Sequence, residues 1–248
     1  MGVLGGVYGI WLREFKVFQR EKSRVISSLA TPLMWMVIVG TGLGASFSAG
    51  SGSYESFMFP GIVMMLVLFS AMFFGLYIVW DRKIDVLKEV LVSPIPRTAI
   101  FFGKVLGGCT DVIVQVGVFL VIGVFFAPTT ALTIVAGLGI AMILALGIVS
   151  IGLTIGSVFE SLEGFQVIVS FLVFPLFFLS GALFPLDNLP GWLRTITYLD
   201  PVTYAVDALR QIQLGTYAGI PLAADFAVIL GFAAVMIVVG TLAFRRMK

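Results

Sequence analysis

The segment FPLDNLPGWLRTITYLDPVTYAVDALR, residues Phe184–Arg210, lies between two of the most hydrophobic stretches of the chain. It is too polar to span a bilayer and too apolar for an ordinary loop. Apolar residues at helical spacing from Leu186 to Ile196 predict a short amphipathic helix. Asp200 and Pro201 predict the start of a second helix, with Asp as the N-cap and Pro at the first helical position. We therefore expect two short re-entrant or interfacial helices between the last two membrane spans.

The composition of the whole chain indicates an integral membrane protein. Hydrophobic residues make up 60% of the sequence and charged residues 11%, and the mean hydropathy is +1.12. Such values are typical of chains that bury long apolar helices in lipid. The expected fold is an all-α membrane protein with one transmembrane domain over residues 1–248, and the predicted short helices occupy a segment at 185–218. The six predicted transmembrane helices are residues 26–47, 57–80, 105–126, 131–158, 164–184 and 225–244.

The basic residues predict the orientation of these spans. Five, five and three of the fifteen Lys and Arg residues lie in Arg13–Arg24, Arg82–Lys104 and Arg245–Lys248. The positive-inside rule places all three clusters in the cytoplasm, and two cytoplasmic chain ends require an even number of spans. The segment 185–218 is then on the outer face. The net charge of +2 is explained by this topology and by contact with anionic lipid, and we expect no nucleic-acid partner.

Residues 8–24 predict an amphipathic helix at the inner membrane interface. Tyr8, Trp11 and Phe15 recur at spacings of three and four, and basic residues lie largely on the other side. This pattern is typical of a helix that lies in the headgroup region. Such a helix either anchors the chain beside the membrane or forms an elbow that contacts a cytoplasmic partner.

The connection between the second and third spans, residues 81–104, is longer than a simple link requires. Apolar and charged residues alternate there at helical spacing, which predicts a short amphipathic helix that Pro94 ends. It is either an interfacial segment or a docking surface for a soluble protein, and the acidic turn 160–163 is a second candidate contact. The docking residues that we assign are Ile84, Asp85, Leu87, Lys88, Leu91, Glu160 and Glu163.

Reactive side chains are scarce. One cysteine and no histidine exclude an intramolecular disulfide and histidine-based catalysis, and we assign no catalytic residue, metal or cofactor to this chain. Asp111 lies about two helical turns from Lys104, so we expect its carboxylate to extend toward the interface. One shallow carboxylate does not make an ion relay. The energy for transport is therefore expected to come from outside the chain.

Phenylalanine is abundant in the predicted spans. Spans two and five carry Phe residues at spacings of three and four, which places each set on a broad helix face. Such residues commonly face lipid or pack between helices, but two Phe-rich helices also suit an apolar slot for a hydrophobic substrate. The candidates for this path are Phe69, Phe73, Phe171, Phe174 and Phe178.

Over essentially its whole length the chain resembles permease subunits of the ABC type-2 exporter family, which are six-span half-transporters of the type V architecture. It is most similar to the multidrug and daunorubicin-exporter-like branch, and it is also similar to permeases that export lipo-oligosaccharides in nodulation. The residues behind this resemblance are Phe184-Pro185-Leu186, Leu189-Pro190, Trp192-Leu193, Asp200-Pro201, Tyr204, Asp207 and Arg210.

The resemblance implies a working unit of two permeases, either two copies or two paralogues, and two ATP-binding subunits in a prokaryotic inner membrane. The sequence has no G-x-x-x-x-G-K-[ST] loop, so ATP and Mg²⁺ would bind the partner subunit, which the 81–104 helix would contact. Asp207 and Arg210, one turn apart, are expected to hold an outer gate closed. The gate residues implied by the resemblance are Phe184, Pro185, Trp192, Pro201, Tyr204, Asp207 and Arg210.

Several cargoes and two other classes of protein remain as alternatives. The Phe-rich spans favour a hydrophobic or amphipathic cargo such as a drug, lipid or glycolipid, although polysaccharide, lipo-oligosaccharide or sodium would use the same machinery. An ATP-independent channel or carrier is disfavoured by the sparse intramembrane charge. A membrane-embedded enzyme is disfavoured because histidine and paired intramembrane carboxylates are lacking.

Overall fold

The structure, a computed structural model, describes residues 3–44, 53–86, 95–186, 189–215 and 220–246. Every regular element in these ranges is a helix, and six helices are long and apolar enough to cross a membrane. The predicted fold class, all-α with six transmembrane helices, is confirmed. Spans 1 to 6 are Ser23–Gly44, Tyr54–Lys83, Arg97–Phe125, Ala131–Val158, Leu162–Leu179 and Leu222–Arg246.

Further helices flank the spans within the described ranges. An N-terminal helix precedes span 1, and two cap helices lie between spans 5 and 6; they are Val3–Arg20, Gly191–Thr197 (first cap helix) and Pro201–Leu214 (second cap helix). Three spans are irregular. Span 1 combines Lys22–Met34 with a π-helical segment Trp35–Gly40 and a turn Thr41–Gly44, span 2 combines Tyr54–Phe73 with Leu76–Lys83, and span 3 ends Arg97–Ile122 with a 3₁₀ turn Gly123–Phe125.

Two predicted boundaries near the N-terminal half are wrong. The N-terminal helix covers Val3–Arg20 instead of residues 8–24, because Glu21 has a non-helical backbone with φ −97° and ψ 54°. The connection predicted at 81–104 is also shorter, since span 2 continues to Lys83 and span 3 begins at Arg97. Pro96 precedes that helix in an extended conformation, which is where proline is tolerated.

Between spans 5 and 6, some observed helix boundaries differ from the predicted ones and one agrees. Span 5 ends at Leu179 instead of residue 184, because Gly181 adopts a left-handed φ of +70° that stops the helix. The first cap helix begins only at Gly191, so the predicted amphipathic helix is shorter than its apolar pattern. The predicted start of the second cap helix is confirmed, with an Asp200 Oδ1 that accepts from the Val202 N–H at 2.9 Å.

Spans 2, 3 and 4 form the packed centre of the bundle. Spans 2 and 4 are in backbone contact, because a Cβ atom added at Gly75 would overlap the Gly152 carbonyl and one added at Gly152 would overlap the Met72 carbonyl oxygen. Such close approach of small residues is a common way to associate helices in lipid. Spans 1, 5 and 6 lie at the periphery and expose most of their side chains.

Contacts between distant parts of the chain bring the basic clusters to one end of the bundle. A Cβ atom at Gly103 would lie 2.6 Å from Ile10 Cβ, so the N-terminal helix packs directly on span 3. The Phe101 and Phe244 rings, with centroids 5.1 Å apart, join span 3 to the end of span 6. We call this the basic end. The opposite end, which holds the two cap helices, is the cap end.

Candidate functional site: a cavity between spans 1, 2 and 5

A cavity of about 870 Å³ lies between the N-terminal helix and spans 1, 2 and 5. The part of the lining that lies farthest from the basic end is apolar. The part nearest the basic end is charged. The apolar and aromatic lining residues include Met65, Leu66, Phe69, Phe73, Leu76, Tyr77, Trp80 and Leu162. The charged lining residues are Arg13, Glu14, Glu21, Arg24 and Asp81. The neutral polar lining residues include Ser27, Ser28, Thr31, Ser70, Gln115 and Gln166. The cavity is therefore amphipathic, as a site for a molecule with both a polar and an apolar part would be.

The structure places the predicted Phe path only partly in this cavity. Phe69 and Phe73 line it, and Phe174 makes an edge contact with Phe69 at a centroid distance of 5.8 Å. Phe171 is 77% exposed and lies in a separate shallow groove on span 5. Phe178 stacks on Phe174 at 6.4 Å. Two of the five candidates thus line the cavity, Phe174 is linked to them through Phe69, and Phe171 and Phe178 are not among the lining residues.

A buried ionic cluster lies at the basic end of the cavity. Lys104 is fully buried, and its Nζ donates to Asp81 Oδ2 at 2.8 Å and to Glu14 Oε1 at 3.0 Å. Arg13 Nη2 donates to Asp81 Oδ1 at 2.8 Å. Burial lowers the pKa of Arg13, but the hydrogen bond and charge of Asp81 outweigh this, and the pKa is raised. The cluster joins the N-terminal helix, span 2 and span 3.

Sequence reasoning did not identify this cluster. Its signal was present, because Glu14 is a lone acid among the basic residues of the N-terminal helix, and Asp81 and Lys104 bound the predicted connection. Buried charges persist when they are paired and are otherwise costly. Such a cluster leaves a recognisable pattern in a sequence. An isolated Glu lies in a basic helix, and one acidic and one basic residue lie near the facing ends of two later helices.

A second polar network lies deeper, between spans 1, 2 and 3. Arg24 forms an ion pair with Asp111, and the Asp111 carboxylate also accepts from Gln115 Nε2 at 2.7 Å. The Arg24 guanidinium lies 4.4 Å from the centroid of the Tyr77 ring. Asp111 is only 2% exposed. The expectation that Asp111 extends toward the interface is therefore wrong, because Arg24 supplies its counter-charge inside the bundle.

At the cap end, Arg210 ties three elements together. Its Nη2 donates to the carbonyl of Gly181 at 2.9 Å and to that of Phe57 at 3.3 Å, and its guanidinium lies 4.0 Å from the centre of the Phe57 ring. Burial lowers the pKa of Arg210 to about 10, against the opposing influence of Asp207, so the side chain is a cation at neutral pH. The second cap helix is thereby held to the end of span 5 and the start of span 2.

Gln211, which sequence reasoning missed, joins the same cap helix to span 6. Its Nε2 donates to Asp207 Oδ2 at 2.8 Å, to the Ile220 carbonyl at 2.9 Å and to Asp225 Oδ2 at 3.0 Å. Its spacing of four residues from Asp207 was the available signal. Among the other predicted gate residues, Tyr204 is half-buried, and its hydroxyl donates to the Tyr198 carbonyl at 2.8 Å. Phe184 and Pro201 are partly buried, whereas Pro185 and Trp192 are exposed.

The predicted docking residues that the structure describes lie exposed near the basic end. Arg82 donates to the carbonyls of Ser157 at 2.7 Å and Phe159 at 3.0 Å, which holds the turn between spans 4 and 5 beside the end of span 2. The two predicted docking segments are therefore neighbours. Ile84, Asp85, Glu160 and Glu163 are exposed, and Leu87, Lys88 and Leu91 lie outside the described residues.

Six apolar spans, with an amphipathic cavity between three of them, are the features of a multi-pass membrane protein of the transporter class. The family model for the ABC-2 type transporter matches residues 6–214. The chain therefore belongs to the ABC-2 type transporter family and is a transport permease, and the family to which the sequence was assigned is confirmed.

Three curated relatives illustrate the breadth of this family. The putative transport permease ycf38 of Porphyra purpurea is 30% identical over 214 residues, which cover 82% of this chain and 72% of the relative. The inner membrane transport permease YadH of Escherichia coli strain K12 is 27% identical over 232 residues, 90% of this chain and 88% of the relative. Nodulation protein J of Rhizobium leguminosarum bv. trifolii is 24% identical over 210 residues, 83% of this chain and 80% of the relative.

Proposed function

We propose that this permease is the transmembrane subunit of an ATP-driven exporter that moves a hydrophobic or amphipathic molecule, such as a drug, lipid or glycolipid, out of the cytoplasm. The observation that supports it best is the amphipathic cavity, in which Phe69 and Phe73 face a wall that ends in charged residues. ATP and Mg²⁺ bind a dimer of separate ATPase subunits, and this chain supplies the path. A membrane location like that of the relative named as an inner membrane permease is part of the proposal.

The described geometry corresponds to one step of alternating access. The cap end is closed by the contacts of Arg210 and Gln211, and the cavity lies on the other side of this closure, toward the basic end. We place the basic end in the cytoplasm because three clusters of Lys and Arg meet there. Substrate then enters from the inner side, and its release requires the cap helices to separate from spans 2 and 5.

The ionic cluster around Lys104 is the proposed link between the ATPase and the cavity. Asp81 in span 2 and Lys104 in span 3 lie on either side of the segment that includes five of the seven docking residues, and they contact the N-terminal helix through Arg13 and Glu14. A displacement of that segment moves the N-terminal helix with spans 2 and 3. Because the N-terminal helix and span 2 also line the cavity, the cavity changes shape in the same movement.

A second permease, either another copy or a paralogue, completes the path in this proposal. Spans 1 and 5 flank the cavity and remain mostly exposed. Phe171 adds an aromatic group to the exposed face of span 5. Pairing two permeases along these spans would shield the cavity from lipid.

The coupling test replaces Leu87 and Leu91 together with Asp and uses the pair of Met substitutions as the matched control. We expect the Asp pair to lose co-purification of the ATPase and ATP-dependent uptake of an amphipathic dye into inverted membrane vesicles, since charge would disrupt an apolar docking face. The Met pair should retain both. Dye flux that continues without ATP would support the channel or carrier alternative instead.

One observation favours a glycan-bearing cargo as the second candidate. Span 1 lines the cavity with the hydroxyl groups of Ser27, Ser28 and Thr31, and span 5 contributes the Gln166 amide. Hydroxyl and amide groups beside aromatic rings suit sugar hydroxyls as well as drug headgroups. Competition of a lipo-oligosaccharide with dye uptake would favour this candidate, and absence of competition would favour the drug or lipid. Sodium export by the same machinery would appear as ATP-dependent ²²Na⁺ uptake in the same vesicles.

A further inference from the structure

Among the side chains that the structure describes, the charges around the cavity do not pair evenly. Three cationic side chains described at the cavity or directly behind its wall each contact a carboxylate. These contacts satisfy three of the four carboxylates in the same region, and the pairs are Arg13–Asp81 at 2.8 Å, Lys104–Glu14 at 3.0 Å, and Arg24–Asp111. Glu21 is the fourth carboxylate.

Glu21 has the weakest described cationic contact of the four. The nearest described cationic atom to its Oε2 is Arg24 Nη1 at 3.9 Å, and Arg24 is already paired closely with Asp111. The Glu21 side chain is 45% exposed and lines the cavity. Tyr77 donates its hydroxyl to Glu21 Oε2 at 3.2 Å, which orients the carboxylate and leaves most of its acceptor capacity available.

Aromatic side chains of span 2 line the same cavity as this carboxylate. They include Phe73, Tyr77 and Trp80, and Trp80 is 50% exposed. The faces of aromatic rings attract cations, and a desolvated cation gains more from them than a hydrated one. The cavity thus combines an accessible anion, aromatic rings and an apolar extension toward Phe69.

From this combination we propose that the exported molecule carries a cationic group with apolar substituents, and that Glu21 is its counter-ion in the cavity. The inference rests on the proposed export function and adds the charge of the substrate to it. Glu21 lies at the break between the N-terminal helix and span 1. A movement of the N-terminal helix would therefore shift the carboxylate relative to Trp80 and would weaken the site as the cavity changes shape.

The test uses two probes that differ mainly in charge. Tetraphenylphosphonium and tetraphenylborate each hold four phenyl groups around one central atom, with charges of opposite sign. Binding of each to the purified full chain in lipid nanodiscs is measured by equilibrium dialysis, with empty nanodiscs as the blank. We expect saturable binding of the phosphonium, a preference of at least about fivefold over the borate, and an about fivefold weaker Kd in Glu21→Gln.

Matched variants make the assignment specific. Glu55→Gln removes a partly exposed carboxylate at the cap end of span 2 that does not line the cavity, and its phosphonium affinity should equal that of the wild type. Glu21→Asp keeps the charge and should bind better than Glu21→Gln. Equal binding of the two probes by the wild type, or equal phosphonium affinity in the wild type and Glu21→Gln, would overturn the proposal.

The comparison of the two probes on the wild type needs no variant, so it stands even if Glu21→Gln misfolds. It also needs no ATP. Absence of ATP-dependent dye uptake in vesicles that hold the wild-type permease would contradict the proposed function without affecting the charge preference. ATP-dependent export of dyes without any preference for cations would contradict the cationic substrate and the counter-ion role of Glu21, and it would leave the proposed export function intact.

Discussion

Lys104 Nζ lies 2.8 Å from Asp81 Oδ2, so a residue near the end of span 2 and a residue about two turns into span 3 are in direct contact. The same ammonium group donates to Glu14 of the N-terminal helix at 3.0 Å. Both carboxylates and the lysine are buried, and buried charges of opposite sign hold their partners only in a narrow range of geometries. The connection, the N-terminal helix and the cavity wall are therefore mechanically linked.

The first prediction concerns this cluster. Lys104→Met should lower the free energy of unfolding by about 3–5 kcal/mol, because the carboxylates of Asp81 and Glu14 lose a buried partner. The melting temperature should fall by on the order of 10 °C for a chain of this size, measured by intrinsic fluorescence in detergent. Lys16→Met changes an exposed lysine of the N-terminal helix and should be neutral. A Lys104→Met variant as stable as the Lys16→Met control would contradict a stabilising role for the cluster.

The second prediction concerns the cap. Arg210→Ala should cost about 2 kcal/mol, because the carbonyls of Gly181 and Phe57 lose a charged donor. Arg210→Lys should recover only part of this loss, since an ammonium group cannot reproduce the planar contact with the Phe57 ring. Arg194→Ala, in the partly exposed first cap helix, should cost less than about 1 kcal/mol. Thermal unfolding of the three variants gives the order, and unchanged assembly and export in Arg210→Ala would remove the proposed gate role.

The third prediction separates two glycines of span 4. Gly152→Ala should destabilise the protein by about 3 kcal/mol, because the added Cβ would overlap the Met72 carbonyl oxygen of span 2. Gly139→Ala makes the same chemical change on the same helix where no heavy atom lies within 4 Å. It should be neutral or stabilising by up to about 1 kcal/mol, since alanine favours helix. Equal melting temperatures for the two variants would contradict the close contact of spans 2 and 4.

The fourth prediction is a pH dependence at the N-cap of the second cap helix. Burial raises the pKa of Asp200 from 3.8 to about 8, partly offset by the hydrogen bond from the Val202 N–H. The folded chain therefore holds this proton more tightly than the unfolded chain. Its contribution to stability is complete below a pH of about 3.8 and is lost as the pH rises toward about 8.

Asp200→Asn tests this dependence because the amide oxygen can still cap the helix but does not titrate. The decrease in melting temperature between about pH 4 and about pH 8 should be smaller in this variant than in the wild type. Asp200→Ala should also lose the dependence and should be less stable at every pH by about 1 kcal/mol, because it removes the cap. Identical pH profiles for the wild type and Asp200→Asn would show that Asp200 is ionised in the folded protein.

The sequence by itself determined the features that depend on neighbours along the chain. Long apolar stretches separated by polar ones predicted six spans, and Asp200-Pro201 predicted the start of the second cap helix, since capping involves residues only two or three positions apart. The family resemblance was equally available from the spacing of motifs around Trp192 and Tyr204. Local composition also misplaced several boundaries. The connection between spans 2 and 3 was extended to Lys104, because a lysine is assigned to a loop until its buried partners are known.

Only the tertiary structure decided which polar residues are buried and what they contact. Asp111 is buried because Arg24 of another span lies beside it, and Gln211 is a cross-link because Asp225 faces it from span 6. Hydropathy assigns each polar residue a cost of burial, whereas the pairing that offsets this cost is set by packing between helices that are distant in sequence. The cavity arises in the same way, from the space that spans 1, 2 and 5 leave between them.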